Sequence, residues 1–289
     1  MPKLGFIGGS GIYGIDALQD SEWVSVETAW GRPSDDILIG RIGGMEMAFL
    51  PRHGRGHRIP PSEVPYPANI AAMKTLGITD LVSISACGSF REDYAPGDFV
   101  IVDQFIDRTS ARTKSFFTHG CTGHVSIAHP TCPRLGAVCL QAASELGIQV
   151  HNGGTYLAME GPQFSTLAES NLYRSWGCDV IGMTNMPEAK LAREAEICFA
   201  TVAMVTDYDS WHPDHGEIDI SKVIATLVAN SESAKRLVQR IAGEMRNGRG
   251  ICQHGCDRSL EYAVITAPDQ RDPELVEKLS VIAGRVLKC

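Results

Sequence analysis

The chain has 289 residues, of which 44% are hydrophobic and 21% are charged, so its composition is that of a globular protein with ample material for a core. The formal net charge of −8 argues against a general nucleic-acid binder or a protein of anionic membrane surfaces, and any phosphate site must be built locally. No apolar run is long enough to span a membrane, and the first residues lack the apolar stretch of a secretion signal. We therefore expect a cytoplasmic protein with reduced thiols.

The first segment combines a predicted strand with a glycine loop. The apolar run 4–7 leads directly into Gly8-Gly9-Ser10-Gly11. Glycines let the backbone approach an anion closely, and the hydroxyl of Ser10 can donate a hydrogen bond to it. The loop matches neither the dinucleotide-binding nor the Walker pattern, so a tight turn without a ligand remains an alternative interpretation.

Two further predicted strands, 37–39 and 47–50, precede a basic loop. Three arginines and two histidines lie within residues 52–58 of this acidic chain. Glycine and proline favour a loop here, so that the side chains of Arg52 and His53 are free to converge on an anion. A solvated basic loop is the alternative.

Helical and strand patterns alternate through the middle of the chain. They predict helices at 67–76, 133–146 and 166–177, and strands at 80–85, 97–103 and 155–159. A turn of small residues is predicted at 86–89. It would place the hydroxyl of Ser85 and the backbone of Ala86 where a phosphate could bind.

Two other features of this region point to a ligand or an interface. Residues 108–131 are polar and irregular and include His124, which is typical of a functional or subunit-contact loop. Phe164 and Ser165 precede a capping box formed by Thr166 and Glu169. Phe164 could pack into the core or provide a platform for a flat ligand.

The most informative stretch follows a buried, β-rich run at 197–205. The run ends in Thr206, Asp207 and Asp209, and the i, i+2 spacing puts both carboxyl groups on one face or on one loop. In open α/β sheets, ligands bind beyond the carboxyl ends of the strands. A preceding strand at 179–183 likewise ends in Met183 and Thr184. Helices are then predicted at 219–245 and 273–287.

Strands and helices alternate along the whole chain, and no linker divides it. The sequence therefore predicts one α/β domain over residues 1–289, with a twisted, mixed central sheet flanked by helices and a C-terminal helical extension at 269–289. Cys252 and Cys256 flank a histidine, but without a fourth ligand this is an incomplete metal set. We predict no metal, and either a local disulfide or inert thiols.

Together, the strand-end hydroxyls and the basic loop predict a phosphate site, and the paired carboxyl groups suit a heterocyclic base. The pieces indicate cleavage of a base from a group that phosphate attacks. The sequence resembles the 5′-methylthioadenosine phosphorylases of the purine nucleoside phosphorylase superfamily from Leu4 to about Pro268. The resemblance is carried by the segments IGGSGIYG, PRHGRGH, ACGSFRE, DQFIDRT, MEGPQFST, GMTNMPEAKLAREA and TDYDSW.

The resemblance implies phosphorolysis of 5′-methylthioadenosine to adenine and 5-methylthioribose 1-phosphate, without a cofactor, by a trimer or a dimer of trimers. It implies small-molecule substrates, and the net charge of −8 leads us to expect no nucleic-acid or membrane partner. It assigns phosphate binding to Ser10, Arg52, His53, Ser85, Ala86 and Thr184, and nucleoside binding to Phe164, Met183, Thr206, Asp207 and Asp209.

The catalytic pair expected from the resemblance is Asp207 and Asp209. A protonated Asp207 near N7 would relieve the negative charge that grows on the leaving purine, and an ionised Asp209 would accept from the 6-amino group. The residues expected to set specificity at the 5′ position are Ser165, Ile220, Val223, Ile224 and, from a neighbouring subunit, His124.

Three alternatives remain open. A 6-oxopurine nucleoside or methylthioinosine phosphorylase of the same fold is disfavoured because two aspartates suit adenine. A hydrolase using water is disfavoured by the phosphate set. A catalytically silent nucleoside-binding protein would keep the fold and lose turnover.

Overall fold

The structure is a computed structural model that describes residues 3–9, 14–213, 220–246 and 248–287. In this part of the chain, eleven strands form one mixed sheet. The strands are β1 (Leu4–Gly8), β2 (Gln19–Val24), β3 (Ile37–Ile42), β4 (Met45–Pro51), β5 (Asp80–Ser89), β6 (Phe99–Val102), β7 (Gln104–Asp107), β8 (Val150–Asn152), β9 (Thr155–Ala158), β10 (Val180–Gly182) and β11 (Cys198–Asp207).

The long strand β5 is the centre of the sheet. It pairs in parallel with β1 on one side and with β11 on the other, and its last residues, Gly88 and Ser89, pair antiparallel with β10. Strands β4, β3 and β2 extend the sheet beyond β1, and β9 and β7 extend it beyond β10. The carboxyl ends of β1, β4, β5 and β11 therefore lie along one edge, where α/β sheets bind ligands.

Seven α-helices of the described residues flank the sheet. They are α1 (Tyr66–Thr75), α2 (Pro133–Glu145), α3 (Leu167–Ser175), α4 (Asn185–Glu194), α5 (Ile220–Met245), α6 (Pro273–Lys278) and α7 (Ser280–Leu287). None of them is both long and apolar enough to cross a membrane.

Both faces of the central strands are buried. Alternate residues of β11 point to opposite faces, so Ala203 and Val205 join the core shared with α1, α4 and α7, whereas Val202 and Met204 join the core shared with α2 and α5. This explains why the strand is a continuous apolar run and shows no polar alternation. The predicted α/β fold with a mixed central sheet is confirmed.

Several predicted boundaries were wrong. Residues 86–89 continue β5, because Gly88 pairs with both β10 and β11. The last predicted helix is two helices, α6 and α7, separated at Leu279. Strands β2, β7 and β8 were not predicted; β2 has the mostly exposed sequence QDSEWV at the edge of the sheet, where polar residues hide the strand pattern. The predicted capping box of α3 is present, with both reciprocal hydrogen bonds between Thr166 and Glu169.

Candidate active site

A cavity of about 610 Å³ opens at the carboxyl ends of the central strands. Its walls come from the loop after β4, from β5, β10 and β11, and from α5, so residues distant in sequence converge. The predicted residues that line it are Arg52, His53, Ser85, Ala86, Phe164, Met183, Thr184, Thr206, Asp207, Asp209 and Val223.

Four other predicted residues lie outside this wall. The side chains of Ile220 and Ile224 are mostly exposed, and His124 is exposed on the surface of its own subunit. Ser165 is buried behind the wall, where its hydroxyl donates to Sδ of Met159 over 3.7 Å. Ser10 lies outside the described residues.

One end of the cavity presents hydroxyl groups. Oγ of Ser85 and Oγ1 of Thr184 are 3.1 Å apart, and both residues are buried. They come from β5 and from the residue that precedes α4, so their approach depends on the antiparallel pairing of β5 with β10. Two adjacent hydroxyl donors of this kind suit an anion that accepts several hydrogen bonds.

Arg52 also lines the cavity, and other protein groups hold its guanidinium group in place. Arg52 is 1% exposed, and its guanidinium group donates from Nε to Oε1 of Glu188 at 2.5 Å and from Nη2 to Oε2 at 3.0 Å. Nη2 also donates to Ser83, and Nη1 donates to the carbonyl of Ile84 over 3.1 Å. Since a guanidinium has five N–H groups, most of its donors are committed to the protein.

His53 is the other predicted phosphate ligand. Its Nδ1 lies 2.8 Å from the carbonyl oxygen of Ile59, and its ring stacks on His57 with 4.2 Å between the ring centroids. Burial, reinforced by the nearby Arg52 charge, lowers the pKa of His53 to about 4. The ring is therefore neutral at pH 7, and Nδ1–H donating to Ile59 leaves Nε2 as an acceptor.

The two aspartates lie at the opposite end. Oδ1 of Asp207 accepts from the backbone N–H of Asp209 at 2.8 Å, and its Oδ2 accepts from the Thr206 hydroxyl at 2.7 Å. Burial raises the pKa of Asp207, although these two hydrogen bonds oppose the shift. Burial also raises the pKa of Asp209, and the neighbouring Asp207 charge adds to it. Oδ2 of Asp209 is buried and has no hydrogen-bond partner among the described residues.

Two hydrogen bonds from the residues that follow Asp209 hold its loop in place. The indole Nε1 of Trp211 donates to the carbonyl of Ser89 over 2.7 Å, and the hydroxyl of Ser210 donates to the carbonyl of Ser165 over 2.8 Å. Asp209 itself has a φ of +51°, a left-handed conformation that aspartate tolerates better than most residues. The carboxyl pair therefore rests on a restrained loop.

Helix α5 supplies an apolar wall. Val223 and Leu227 line the cavity because residues four apart share a helix face, and the same spacing puts Ile220 and Ile224 on a neighbouring, exposed face. Of the three residues predicted to form this wall, Val223 lines the cavity, whereas Ile220 and Ile224 do not. Nδ2 of Asn230 donates to the carbonyl of Val205 over 3.0 Å, which ties α5 to the strand that ends in Asp207.

Comparison with known proteins shows which family the chain resembles. Residues 3–242 match the model of the phosphorylase superfamily. The chain is 67% identical to an S-methyl-5'-thioadenosine phosphorylase of Cereibacter sphaeroides, over 99% of this chain and 98% of the relative. It is 56% identical to the enzyme of the same name from Rhodospirillum rubrum, over 99% of this chain and 97% of the relative.

The chain belongs to the S-methyl-5'-thioadenosine phosphorylase family of the phosphorylase superfamily. Solved structures agree. A methylthioadenosine phosphorylase from an antarctic soil metagenomic library superposes with a TM-score of 0.92 at 43% identity, covering 97% of this chain and 98% of the other. The methylthioadenosine phosphorylase of Schistosoma mansoni in complex with adenine gives 0.82 at 33% identity, covering 86% and 93%.

Sequence reasoning missed two buried residues that hold parts of the cavity wall. Glu188 holds Arg52, as described above. Arg112 donates from Nη1 to the backbone carbonyls of Met183 and Met186 at 2.5 and 2.7 Å, and from Nε to Glu160 at 2.8 Å. Arg112 lies in the irregular segment 108–131, and nothing in its local pattern distinguishes it from a surface arginine.

The cysteine prediction also changes in the context of this family member. Cys252 and Cys256 are free thiols, so the local disulfide alternative is wrong. Two further cysteines, Cys132 and Cys198, complete a buried group with them, in which all four sulfur atoms lie within 4.8 Å of one another. The group is separate from the cavity, since none of its members lines it.

Proposed function

We propose that this chain is a pentosyltransferase that cleaves 5′-methylthioadenosine with inorganic phosphate, giving adenine and 5-methylthioribose 1-phosphate. The observation that carries the proposal is that one cavity presents a hydroxyl-rich end at Ser85 and Thr184 and two buried carboxyl groups at Asp207 and Asp209. Membership of the family supports the same reaction.

Phosphate binds at the hydroxyl-rich end. Ser85 and Thr184 donate to its oxygen atoms, together with the backbone of Ala86 and the glycine loop that contains Ser10. The remaining Nη1 hydrogen of Arg52 contributes a charge-assisted donor. Neutral His53 accepts from the protonated oxygen of hydrogen phosphate through Nε2, which favours the form of phosphate present near pH 7.

The base binds at the carboxyl end. As a phosphate oxygen forms a bond to C1′, the C1′–N9 bond breaks and its electron pair moves into the purine. Protonated Asp207 donates its proton to N7 and so neutralises the charge that develops there. The unpartnered Oδ2 of Asp209 accepts from the 6-amino group, which a 6-oxopurine does not offer.

The sugar lies between these ends. The amide N–H of Met183 binds a ribose hydroxyl, and Phe164 packs against the base or sugar, as expected from the sequence. Val223 and Leu227 face the 5′ substituent. A methylthio group fills such a wall, whereas a 5′-hydroxyl loses its hydrogen bonds to water there, so adenosine is the poorer substrate.

The reaction uses no cofactor or catalytic metal, because phosphate is the nucleophile and the carboxyl pair handles the proton. The partners are small molecules and other copies of this chain, and we infer a cytoplasmic location. Assembly as a trimer or a dimer of trimers is supported by the exposed apolar side chains of Leu167 and Leu172 on α3 and of Trp176 directly after it, and by His124, which lies away from the cavity of its own subunit. Light scattering measures the assembly directly.

The deciding experiment measures adenine release from 5′-methylthioadenosine with and without phosphate, beside adenosine and methylthioinosine. Phosphate-dependent release that favours 5′-methylthioadenosine is expected. Equal release in the absence of phosphate identifies a hydrolase, preference for methylthioinosine overturns the base assignment, and ligand binding without turnover identifies a silent relative.

A further inference from the structure

Four cysteines from three parts of the chain meet at the amino end of β11, away from the cavity at its carboxyl end. Cys132 immediately precedes α2, Cys198 begins β11, and Cys252 and Cys256 lie in the segment that follows α5. All four are buried, and their sulfur atoms lie within 4.8 Å of one another. Only Cys252 and Cys256 are close to each other in the sequence.

The sulfur atoms are close enough together to surround one tetrahedral ion. Zinc–sulfur bonds are about 2.3 Å long, so the sulfur atoms of a regular tetrahedron around zinc are about 3.8 Å apart. The sulfur atoms of Cys132 and Cys252 are 3.7 Å apart. This separation is too long for a disulfide bond, whose sulfur atoms are about 2.0 Å apart, and it is close to an edge of the tetrahedron. The other sulfur–sulfur distances in the cluster are at most 4.8 Å.

The surroundings of the cluster are suited to a negatively charged centre. Nη1 of Arg193 lies 3.1 Å from Sγ of Cys256, and Nη2 of Arg249 lies 3.1 Å from Sγ of Cys198. A divalent ion bound by four thiolates carries a net charge of −2, and hydrogen bonds from guanidinium groups to the coordinating sulfur atoms stabilise that charge. Thiols that pack as simple apolar groups need no such donors.

The charges next to the cluster are consistent with this. Arg249 is held by Asp257 at 2.9 Å and by the buried Asp80 at 3.0 Å, and Asp80 also pairs with Arg134. The three arginines (Arg134, Arg193 and Arg249) carry three positive charges, and Asp80 and Asp257 carry two negative charges. One positive charge is therefore in excess beside the sulfur atoms.

We propose that Cys132, Cys198, Cys252 and Cys256 form a structural zinc site. All four coordination positions are filled by sulfur, so the site has no open position for a substrate and its role is to hold segments together. Each thiol that is protonated before binding releases its proton to solvent, and no electron transfer is involved.

The segment that zinc would fix also supports the loop of His124. After Cys256 the chain reaches Ala263, whose carbonyl accepts from the backbone N–H of His124 at 2.8 Å, and Val264, which bridges Gly123. Zinc therefore joins the start of β11 to the segment that braces residues 122–124. Loss of zinc is expected to lower the stability of this face before it alters the cavity.

The test is the metal content of the full chain, expressed with zinc and purified under reducing conditions without chelator. Inductively coupled plasma mass spectrometry should find about one zinc ion per chain in the wild type. The same content is expected in Cys178→Ala, which removes a buried thiol outside the cluster. Cys198→Ala and Cys256→Ala should each lose most of the zinc.

A second measurement on the wild type remains decisive if the variants do not fold. Modification of the thiols with a mercurial reagent should release the zinc to a colorimetric chelator, and cobalt in its place should give the absorption bands of tetrahedral thiolate coordination. Wild-type protein without zinc or cobalt binding overturns the proposal. So does zinc retained by both variants, or a disulfide between cluster cysteines in the reduced preparation.

Discussion

The backbone N–H of Asp209 donates to Oδ1 of Asp207 over 2.8 Å, so the second aspartate of the pair orients the first. Asp209 itself adopts a left-handed φ of +51° immediately after this hydrogen bond. The two carboxyl groups are therefore linked by one backbone turn, and their partners differ. Asp207 accepts two hydrogen bonds, while Oδ2 of Asp209 has no hydrogen-bond partner among the described residues.

Exchange of each aspartate for asparagine should separate the two roles. Asp207→Asn removes the proton donor, so kcat/KM for 5′-methylthioadenosine should fall by about 10²–10⁴-fold, chiefly through kcat. Asp209→Asn keeps an oxygen acceptor and the same backbone N–H, so its loss should be smaller and appear more in KM. Steady-state kinetics with saturating phosphate measure both.

The same pair tests the choice of base. An amide at position 207 can donate as well as accept, so Asp207→Asn should raise the use of methylthioinosine relative to 5′-methylthioadenosine. A larger loss of kcat in Asp209→Asn than in Asp207→Asn would show that the proton donor has been assigned to the wrong residue.

Gly88 is a point at which the carboxyl pair leaves no room. A Cβ atom there would lie 2.9 Å from Oδ1 of Asp207 and 3.2 Å from Cβ of Asp209. Gly88→Ala should therefore displace both side chains and reduce kcat/KM by about 10²-fold, the cost of misplacing a catalytic group by about 1 Å. Gly136→Ala, where the nearest atom is 3.4 Å from the new Cβ, is the control and should keep full activity.

Removing one partner of the buried ion pair of Arg52 and Glu188 should destabilise the fold strongly. Both side chains are almost inaccessible, so Glu188→Ala leaves an uncompensated buried charge and should lower the free energy of unfolding by about 3–5 kcal/mol. Urea denaturation followed by circular dichroism measures the change. Glu27→Ala breaks the exposed pair with Arg32 and should cost no more than about 1 kcal/mol. Equal effects of the two substitutions would contradict this account.

Glu194 should make stability depend on pH near neutrality. Its carboxylate accepts from the backbone N–H of Phe116 and the hydroxyl of Ser115, yet burial raises its pKa to about 7 from an ordinary 4.5. Between these values the folded chain holds a proton that the unfolded chain releases. The contribution of this group is therefore fully present below pH 4.5 and is lost as the pH rises through about 7.

As the pH rises from below 4.5 to above about 7, the free energy of unfolding should lose about 3 kcal/mol through Glu194. Glu194→Gln cannot titrate, so its free energy of unfolding should decline less between pH 5 and pH 8 than that of the wild type. Parallel urea titrations at the two pH values give the comparison. Identical pH dependence in both proteins would mean that Glu194 is already ionised in the folded state.

Local patterns predicted the parts of the fold that depend on local chemistry. The apolar run at 197–205, the capping box of α3 and the apolar face of α2 each reflect neighbours in sequence, and each appears in the structure. Strand β2 was missed because its residues are mostly exposed and polar, and its place in the sheet comes from pairing with β3. Pairing between strands is a non-local interaction that a single window of sequence does not contain.

The site divides in the same way. The sequence by itself determined that Asp207 and Asp209 stand at a strand end, that His53 follows a buried strand, and that the chain carries the family's motifs. Only the tertiary structure decided that Val223 faces the cavity while Ile220 does not. Successive side chains point about 100° apart around a helix, and the way α5 packs on the sheet sets which of them face the cavity.

Long-range packing also decided which residues act together. Glu188 reaches Arg52, Arg112 reaches the carbonyl of Met183, and Cys132 and Cys198 join the two C-terminal cysteines only because the sheet brings distant strand ends and loops into contact. Burial of a charge or a thiol in such a place creates a demand for a partner, and that demand arises only when the chain has folded.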